Sequence, residues 1–314
     1  MKEGIKISII IPVYNAELFL RNTINSVLSQ DFSDYEIIIV NDGSTDSSLD
    51  ICNEFAKSDS KIHLFNQTNK GVTAARRKGI ENAIGDFVLF LDADDLLTSG
   101  ALQILYSYSS NVDVVIGFND DPIAIPKKKP FYLNGNQLTY YFLEHKLNVD
   151  PAAKLWRQNL FGTKTMDIPS KIKLGEDFLM NLRLSTKVKY AIIIYKQISI
   201  YTIHSGQTTQ NFKYNLEYDI LLDSFIQKAL PSTQQYKKGI IRSRLYNLRR
   251  LTRFSYDDYD PKHPFVIETC KKARYYKLAI EDYLYIIFKN NQKICRKLLQ
   301  LIAGFKREFL HMYH

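Results

Sequence analysis

The stretch GDFVLFLDADDLL (85–97) drives an apolar run, Phe87 to Leu91, straight into Asp92, Asp94 and Asp95. Three carboxylates over four residues repel one another unless something positive meets them. Two chemistries fit. An acidic turn would face water and cap the helix that follows. Alternatively the acids hold a divalent cation and a ligand that shares it, because carboxylates are hard oxygen donors suited to Mg2+ or Mn2+. A second acidic pair, Glu176-Asp177 in LGEDFLMNLRL, opens an apolar pattern with helical spacing. The helix dipole favours acids there without further purpose, and a carboxylate in that place can equally take a proton from a hydroxyl. His204, in YTIHSGQTTQ, adds an imidazole that is either packed or a ligand.

These residues need a frame. Strands are expected at Ile7–Val13, Tyr35–Asn41, Ile62–Asn66, Phe87–Leu91 and Val112–Phe118, where β-branched runs are short and dense. Amphipathic stretches between them, at Glu17–Gln30, Ser47–Lys57, Val72–Ile84 and Ser99–Ser109, read as helices. Such alternation gives an α/β fold with a mostly parallel sheet, helices on both faces, and ligands at the carboxyl ends of the strands. The polar clusters fall at those ends: PVYNAE, NDGSTDSS, NQTNKG and DADD. Neither GxGxxG nor GxxxxGK[ST] occurs, which sets aside hydride-transfer enzymes and ordinary NTPases. Residues 119–136, with three prolines and three adjacent lysines, read as an exposed loop. From residue 213 the chain reads as helical.

The totals bound the rest. The chain has 314 residues, 45% of them hydrophobic and 24% charged, which suits a soluble globular protein. Three cysteines without a CxxC pair fit a reducing compartment and offer no zinc site. The apolar run near the N-terminus is strand-length and lacks a cleavage site, and no run approaches the roughly 20 apolar residues of a membrane span. The net charge of +9 is uneven. Residues 1–235 hold 24 Lys+Arg and 26 Asp+Glu, a net of −2; residues 236–314 hold 18 and 7, a net of +11. Basic segments interleaved with Tyr, Phe and Leu, such as RSRLYNLRRLTRF and KICRKLLQLIAGFKREF, suit an anionic membrane surface. Packing on the rest of the chain, or on a second copy as a homodimer, is the plainer reading. No recognisable nucleic-acid module is present.

Taken together and in order, ISIIIPVYNAELFL, YEIIIVNDGSTDSS, NKGVTAARRKGI, GDFVLFLDADDLL and GEDFLM resemble the bacterial family 2 inverting glycosyltransferases. The resemblance covers roughly residues 5–212 and implies a GT-A fold over 1–212, with 213–314 as a basic, aromatic-rich helical region. It implies a UDP-sugar donor, a saccharide or lipid-linked saccharide acceptor, and Mn2+ or Mg2+. Asp94 would be the metal ligand, with His204 as a further contact, while Asp92 and Ala93 would face the ribose or sugar. Asp42 would accept the N3–H of uracil, beside Pro12, Tyr14 and Asn15. Asn69, Gly71 and Arg76 would complete the donor site, Arg76 by reaching a base or phosphate. Arg77 departs from the Asn common in relatives. Asp177 would be the base and Glu176 an acceptor contact. Trp156, the only Trp, is either core or a stacking platform under the acceptor sugar. The implied setting is surface-polysaccharide assembly in the cytoplasm, peripheral to the inner face of the cell membrane. Two rivals stand beside it. A haloacid dehalogenase-type phosphatase would carry its acids after the first strand, whereas here they follow the fourth. A non-catalytic nucleotide-sugar-binding module using the basic region would not need Asp92, Asp94 and Asp177 intact.

Overall fold

The computed structural model describes residues 4–119, 128–162, 164–204, 212, 215–254 and 259–312. The chain forms two compact units, Met1–Leu138 with Val149–Ser205, and Thr139–Asn148 with Gly206–His314. The segment Thr139–Asn148, expected within the first region, belongs to the second unit.

In the first unit the elements run β1 (Ile7–Val13), α1 (Leu20–Leu28), β2 (Tyr35–Asp42), α2 (Ser48–Ser58), β3 (Ile62–Gln67), α3 (Val72–Asn82), β4 (Phe87–Phe90), β5 (Leu96–Leu97), α4 (Ala101–Ser107), β6 (Val114–Phe118) and β7 (Phe131–Asn134). After α5 (Gly135–Leu143) come β8 (Lys154–Arg157), α6 (Glu176–Ser185), β9 (Tyr190–Gln197) and β10 (Ser199–Ile200). The main sheet has the order β3-β2-β1-β4-β8-β6-β9-β7. Strands β1 to β4 are mutually parallel. Every residue of β1 and β2 is buried, as continuous Ile/Val runs require when helices cover both faces. Helix α3 lies so close on β1 that a Cβ at Gly79 would sit 2.3 Å from the Ile10 side chain.

The sheet departs from the expected pattern at β8. KLWR forms an interior strand antiparallel to both β4 and β6. It separates β4 from β6. Part of the stretch expected as a loop forms β7 and the start of α5; residues 120–127 of it lie outside the described residues. A second, two-stranded sheet pairs β10 with β5 antiparallel, Ser199 opposite Leu97 and Ile200 opposite Leu96.

The second unit is helical: α7 (Leu216–Ala229), α8 (Lys237–Phe254), α9 (Pro264–Ala273), α10 (Ile280–Phe288) and α11 (Gln292–Met312). Helix α8 contains RSRLYNLRRLTRF, expected as a surface-seeking basic segment. It is instead an interior helix, burying Ile240, Ile241, Leu245, Leu248 and Leu251. Three of its arginines are neutralised locally: Arg242 by Glu144, Arg244 by Asp223 at 2.7 Å, and Arg249 by Asp282 at 3.1 Å. No helix among the described residues is long and apolar enough to cross a membrane.

Candidate active site

The acidic turn begins where β4 ends. The Leu91 amide bonds to the Ile10 carbonyl at 3.0 Å, and the Asp95 amide closes the turn on the Asp92 carbonyl at 3.1 Å. Thr23 of α1 donates to the Ala93 carbonyl at 2.8 Å, fixing the turn from beside. Asp95 is almost fully buried and accepts the Thr202 amide at 3.1 Å. Burial, helped by Asp150 and Asp92, pushes its pKa up to about 8. Asp95 is therefore an anchor for the chain leaving β10, and it does not cap a helix. That anchoring delivers His204, whose Nε2 lies 2.8 Å from Asp94 Oδ2 and whose ring stacks on Phe19 at 4.4 Å. Two residues far apart in sequence thus meet because β5 and β10 pair beside them. Residues 205–211 of the His204 motif lie outside the described residues.

Asp92 leads to the base candidate. Arg76, on α3, donates from one terminal nitrogen to Asp92 Oδ1 at 2.7 Å and from the other to Asp177 Oδ1. Only 2% of Arg76 is exposed. Burial opposes its charge, but Asp177, Asp92 and Glu176 outweigh that and hold the guanidinium protonated. Asp177 sits in the first turn of α6 with 22% of its side chain exposed. Its Oδ2 accepts no hydrogen bond among the described residues. Burial raises the pKa of both Asp177 and Glu176, against the pull of Arg76. Glu176 keeps a buried Oε2 without a partner among the described residues.

The nucleotide side is built from strand-end loops. Asn15, at φ 50°, accepts the Thr45 amide at 2.8 Å, and the Ala16 amide bonds to Ser48 Oγ at 2.8 Å. These bonds stitch the β1–α1 loop to the β2–α2 loop. Tyr14 is half exposed, whereas Pro12 is buried within β1. Asp42 is buried and accepts three bonds at 2.8 Å: Gln67 Nε2 and the Lys70 amide on Oδ1, the Gly71 amide on Oδ2. It holds the loop that opens α3, where Asn69 and Gly71 are exposed. A uracil N3–H would have to share Oδ2. Gly43, at φ 73°, tolerates no side chain, since a Cβ would lie 2.8 Å from the Asn69 amide.

Two expectations meet a different placement. Arg76 donates to a carboxylate from each terminal nitrogen and is only 2% exposed, so it is turned to Asp92 and Asp177 and away from solvent. Trp156 is fully buried on β8, paired between Val88 and Val114, and has no exposed face for a sugar. The reason is the interior position of β8, which puts both its faces under cover. Arg77, by contrast, is exposed on α3.

With this geometry in hand, likeness to known proteins can be weighed. Residues 8–155 match the model of the glycosyl transferase family 2. The uncharacterized glycosyltransferase EpsJ of Bacillus subtilis (strain 168) is 30% identical over 71% of this chain and 67% of its own length. The chain is a family 2 glycosyltransferase. Glycosyltransferase GlyA of Streptococcus pneumoniae serotype 4 is also 30% identical, over 65% of this chain but only 32% of GlyA. Among solved structures, S. aureus TarS 1–349 in complex with UDP-GlcNAc superposes with a TM-score of 0.70, covering 94% of this chain and 92% of that one at 21% identity. The fold is GT-A.

The surroundings of the acidic cluster also include residues that motif reading passed over. Lys154 is fully buried, donates to the Asp150 carbonyl, and is pushed down to about 8 by burial. Asp150 accepts Asn119 at 2.6 Å and the Ala152 amide at 2.9 Å. Asn181, buried on α6, donates to the Val149 carbonyl at 2.6 Å and the Asp177 carbonyl at 2.7 Å. The Lys inside KLWR was the only sequence signal for this tier, and its partners lie in unremarkable text.

Proposed function

We propose that the transferase moves a sugar from a UDP-sugar to a hydroxyl of a saccharide acceptor with inversion at the anomeric carbon. One observation carries this: a single guanidinium joins Asp177 to Asp92, putting a carboxylate fit to take a proton beside the acidic turn expected to meet the donor. Asp177 Oδ2 takes the acceptor O–H proton. The freed oxygen attacks the anomeric carbon from the side opposite the diphosphate, the bond from that carbon to the diphosphate oxygen breaks, and UDP leaves. Asp42, with the Tyr14 and Asn15 loop, forms the uridine side. The Asp94–His204 pair fits a divalent cation only in part. It offers one hard oxygen and one nitrogen, and no group of three or more His, Cys, Asp or Glu suited to a metal occurs among the described residues. Such a pair suits Mn2+ or Mg2+ whose other positions are filled by diphosphate oxygens and water. When bound, the cation supplies charge compensation for the departing diphosphate.

The test is UDP release from a panel of UDP-sugars with Mn2+, with Mg2+ and with EDTA, beside Asp94→Ala. Metal-dependent release from one donor, lost in the variant, supports the reading and names the sugar. Failure of UDP to bind at all, by calorimetry, sinks the uridine assignment.

A lipid-linked acceptor in surface-polysaccharide assembly fits the helical unit's outer face. Ile280, Tyr283 and Ile287 share one exposed side of α10. Ile294 and Leu301 do the same on α11, with Lys293 and Lys297 beside them. With Arg242, Arg244 and Arg249 of α8 paired to carboxylates, apolar side chains coincide here with lysines that have no acidic partner among the described residues, a pairing complementary to anionic lipid. Flotation with phosphatidylglycerol vesicles should exceed that with phosphatidylcholine, and Lys293→Glu with Lys297→Glu should abolish the difference. Equal flotation with both vesicles would remove the membrane contact from the proposal.

A further inference from the structure

We infer that Arg76 is a positioning residue for the proton-accepting carboxylate, coupling it to the donor turn, and is not a ligand of the donor. The inference rests on the transferase reading above. Its first support is burial and commitment. Only 2% of Arg76 is exposed, and each terminal nitrogen already donates to a carboxylate, one to Asp92 and the other to Asp177. The Phe90 ring lies 5.8 Å from the guanidinium carbon. Nothing in this setting opens to a nucleotide.

The second support is rigidity. One turn along α3 from Arg76, Gly79 packs so tightly on Ile10 that a methyl group there finds no space. The helix that carries the guanidinium therefore has a fixed depth over β1. A planar fork on a fixed helix sets the spacing between two carboxylates in a way that a flexible ammonium does not.

The third support is that Asp177 is gripped twice. Arg76 holds its Oδ1, while Asn181 ties its carbonyl to Val149. Side chain and main chain are thus located from different elements, α3 on one side and the segment before β8 on the other. The consequence is directional. With Oδ1 occupied, Oδ2 is the oxygen left to receive the acceptor proton, so the approach of the acceptor is chosen by Arg76. Because Asp92 shares the same guanidinium, the aim of Asp177 also depends on the seating of the DADD turn.

A purely structural role, neutralising buried acids, is the competing reading, and Lys separates the two. Arg76→Lys keeps the charge and loses the fork. The full-length chain is measured for UDP affinity by calorimetry, for melting temperature, and for kcat and KM of UDP release from the preferred UDP-sugar with Mn2+. Positioning predicts UDP affinity within about 3-fold of the parent and kcat lower by about 100-fold with KM little changed. It also predicts that combining Arg76→Lys with Asp177→Asn costs no more than Asp177→Asn alone, as for groups acting as one unit. Should Arg76→Lys fail to fold, Asn181→Leu removes the second grip: kcat should fall about 10-fold at unchanged UDP affinity. A loss of UDP affinity or a raised KM with kcat preserved in Arg76→Lys would make Arg76 a donor ligand and overturn the inference, leaving the transferase reading intact. Unchanged kcat in both variants would overturn it equally. Failure of UDP to bind the unsubstituted chain at all would overturn the UDP-sugar reading and this inference with it.

Discussion

Buried charge is handled differently in the two units. In the helical unit each α8 arginine named above meets one carboxylate: Arg242 with Glu144, Arg244 with Asp223, Arg249 with Asp282. In the sheet-bearing unit Arg76 meets two, and Asp95, Asp150 and Glu176 act on the same cluster. Lys154 is the only other buried cation among the described residues of that unit. Matched pairs serve the fold, because each buried charge keeps a partner and neither is left exposed to the low dielectric. An excess of acids is costly unless the shortfall is met from outside. The raised pKa values of Asp95, Asp150, Asp177 and Glu176 express that cost. Under the proposed function, the difference separates charges that hold a structure from charges that await a ligand.

Breaking the comparison at its catalytic end should have the largest effect. Asp177→Asn keeps the shape of the side chain and removes the proton acceptor. UDP release should fall about 1,000-fold, equivalent to about 4 kcal/mol of barrier. UDP affinity and melting temperature should stay near those of the parent, which calorimetry and thermal unfolding would check. A fall of less than about 10-fold would take the base role from Asp177. At the other end, Arg244→Met removes a fork whose two bonds to Asp223 are both 2.7 Å. Asp223 is then buried without its cation, and denaturant unfolding should show a loss of about 3 kcal/mol. Activity of the chain that remains folded should be unchanged. If Arg244→Met instead lowered kcat without lowering stability, matched pairs would not be merely structural and the contrast would fail.

These contrasts were only partly legible in the sequence. Strands β1, β2 and β4 announce themselves because a continuous β-branched run has few alternatives to a covered strand. Strand β8 does not. KLWR is four residues long with a charge at each end, and it becomes an interior strand only because Asp150 takes Lys154 and the Val112 carbonyl takes Arg157 at 2.9 Å. The same placement decided Trp156, which local sequence left open between core and platform. The acids of the site were readable as types at spacings. Their mutual arrangement was not, since Arg76 and Asp177 are 101 positions apart. His204 likewise reaches Asp94 only through the short pairing of β5 with β10. Local patterns specify elements; the joining of distant loops is a tertiary outcome that a periodicity cannot carry.

The excess of acids can also be sharpened by supplying what it lacks. With UDP present, Mn2+ at 100 times its dissociation constant should stabilise the parent chain by about 2.7 kcal/mol. Asp94→Ala should abolish that increment while leaving any stabilisation by UDP alone. Thermal unfolding with and without the metal reads both. An increment that survives in Asp94→Ala would place the cation elsewhere.

The smallest expected effect lies in the helical unit, where pairing leaves one group that must stay neutral. His145 stacks on Tyr246 at 3.8 Å, with Nε2 3.3 Å from Ser243 Oγ. Burial, with Arg249 and Arg250 adding to it, pushes its pKa down to about 3. The folded chain therefore binds this proton less readily than the unfolded chain, whose His titrates near 6.5. The stability involved is complete above about pH 6.5 and is lost as pH falls toward 3, amounting to about 2 kcal/mol by pH 5. His145 has φ 51°, a conformation that Asn tolerates well. His145→Asn should flatten the decline in unfolding free energy between pH 6.5 and 5 and leave the value at pH 7.5 within about 1 kcal/mol. A variant that still declines as steeply would shift the cause to the carboxylates of the matched pairs, whose protonation would then begin to break them in the same range. Either slope tells whether the helical unit's charges are as self-sufficient as their one-to-one geometry implies.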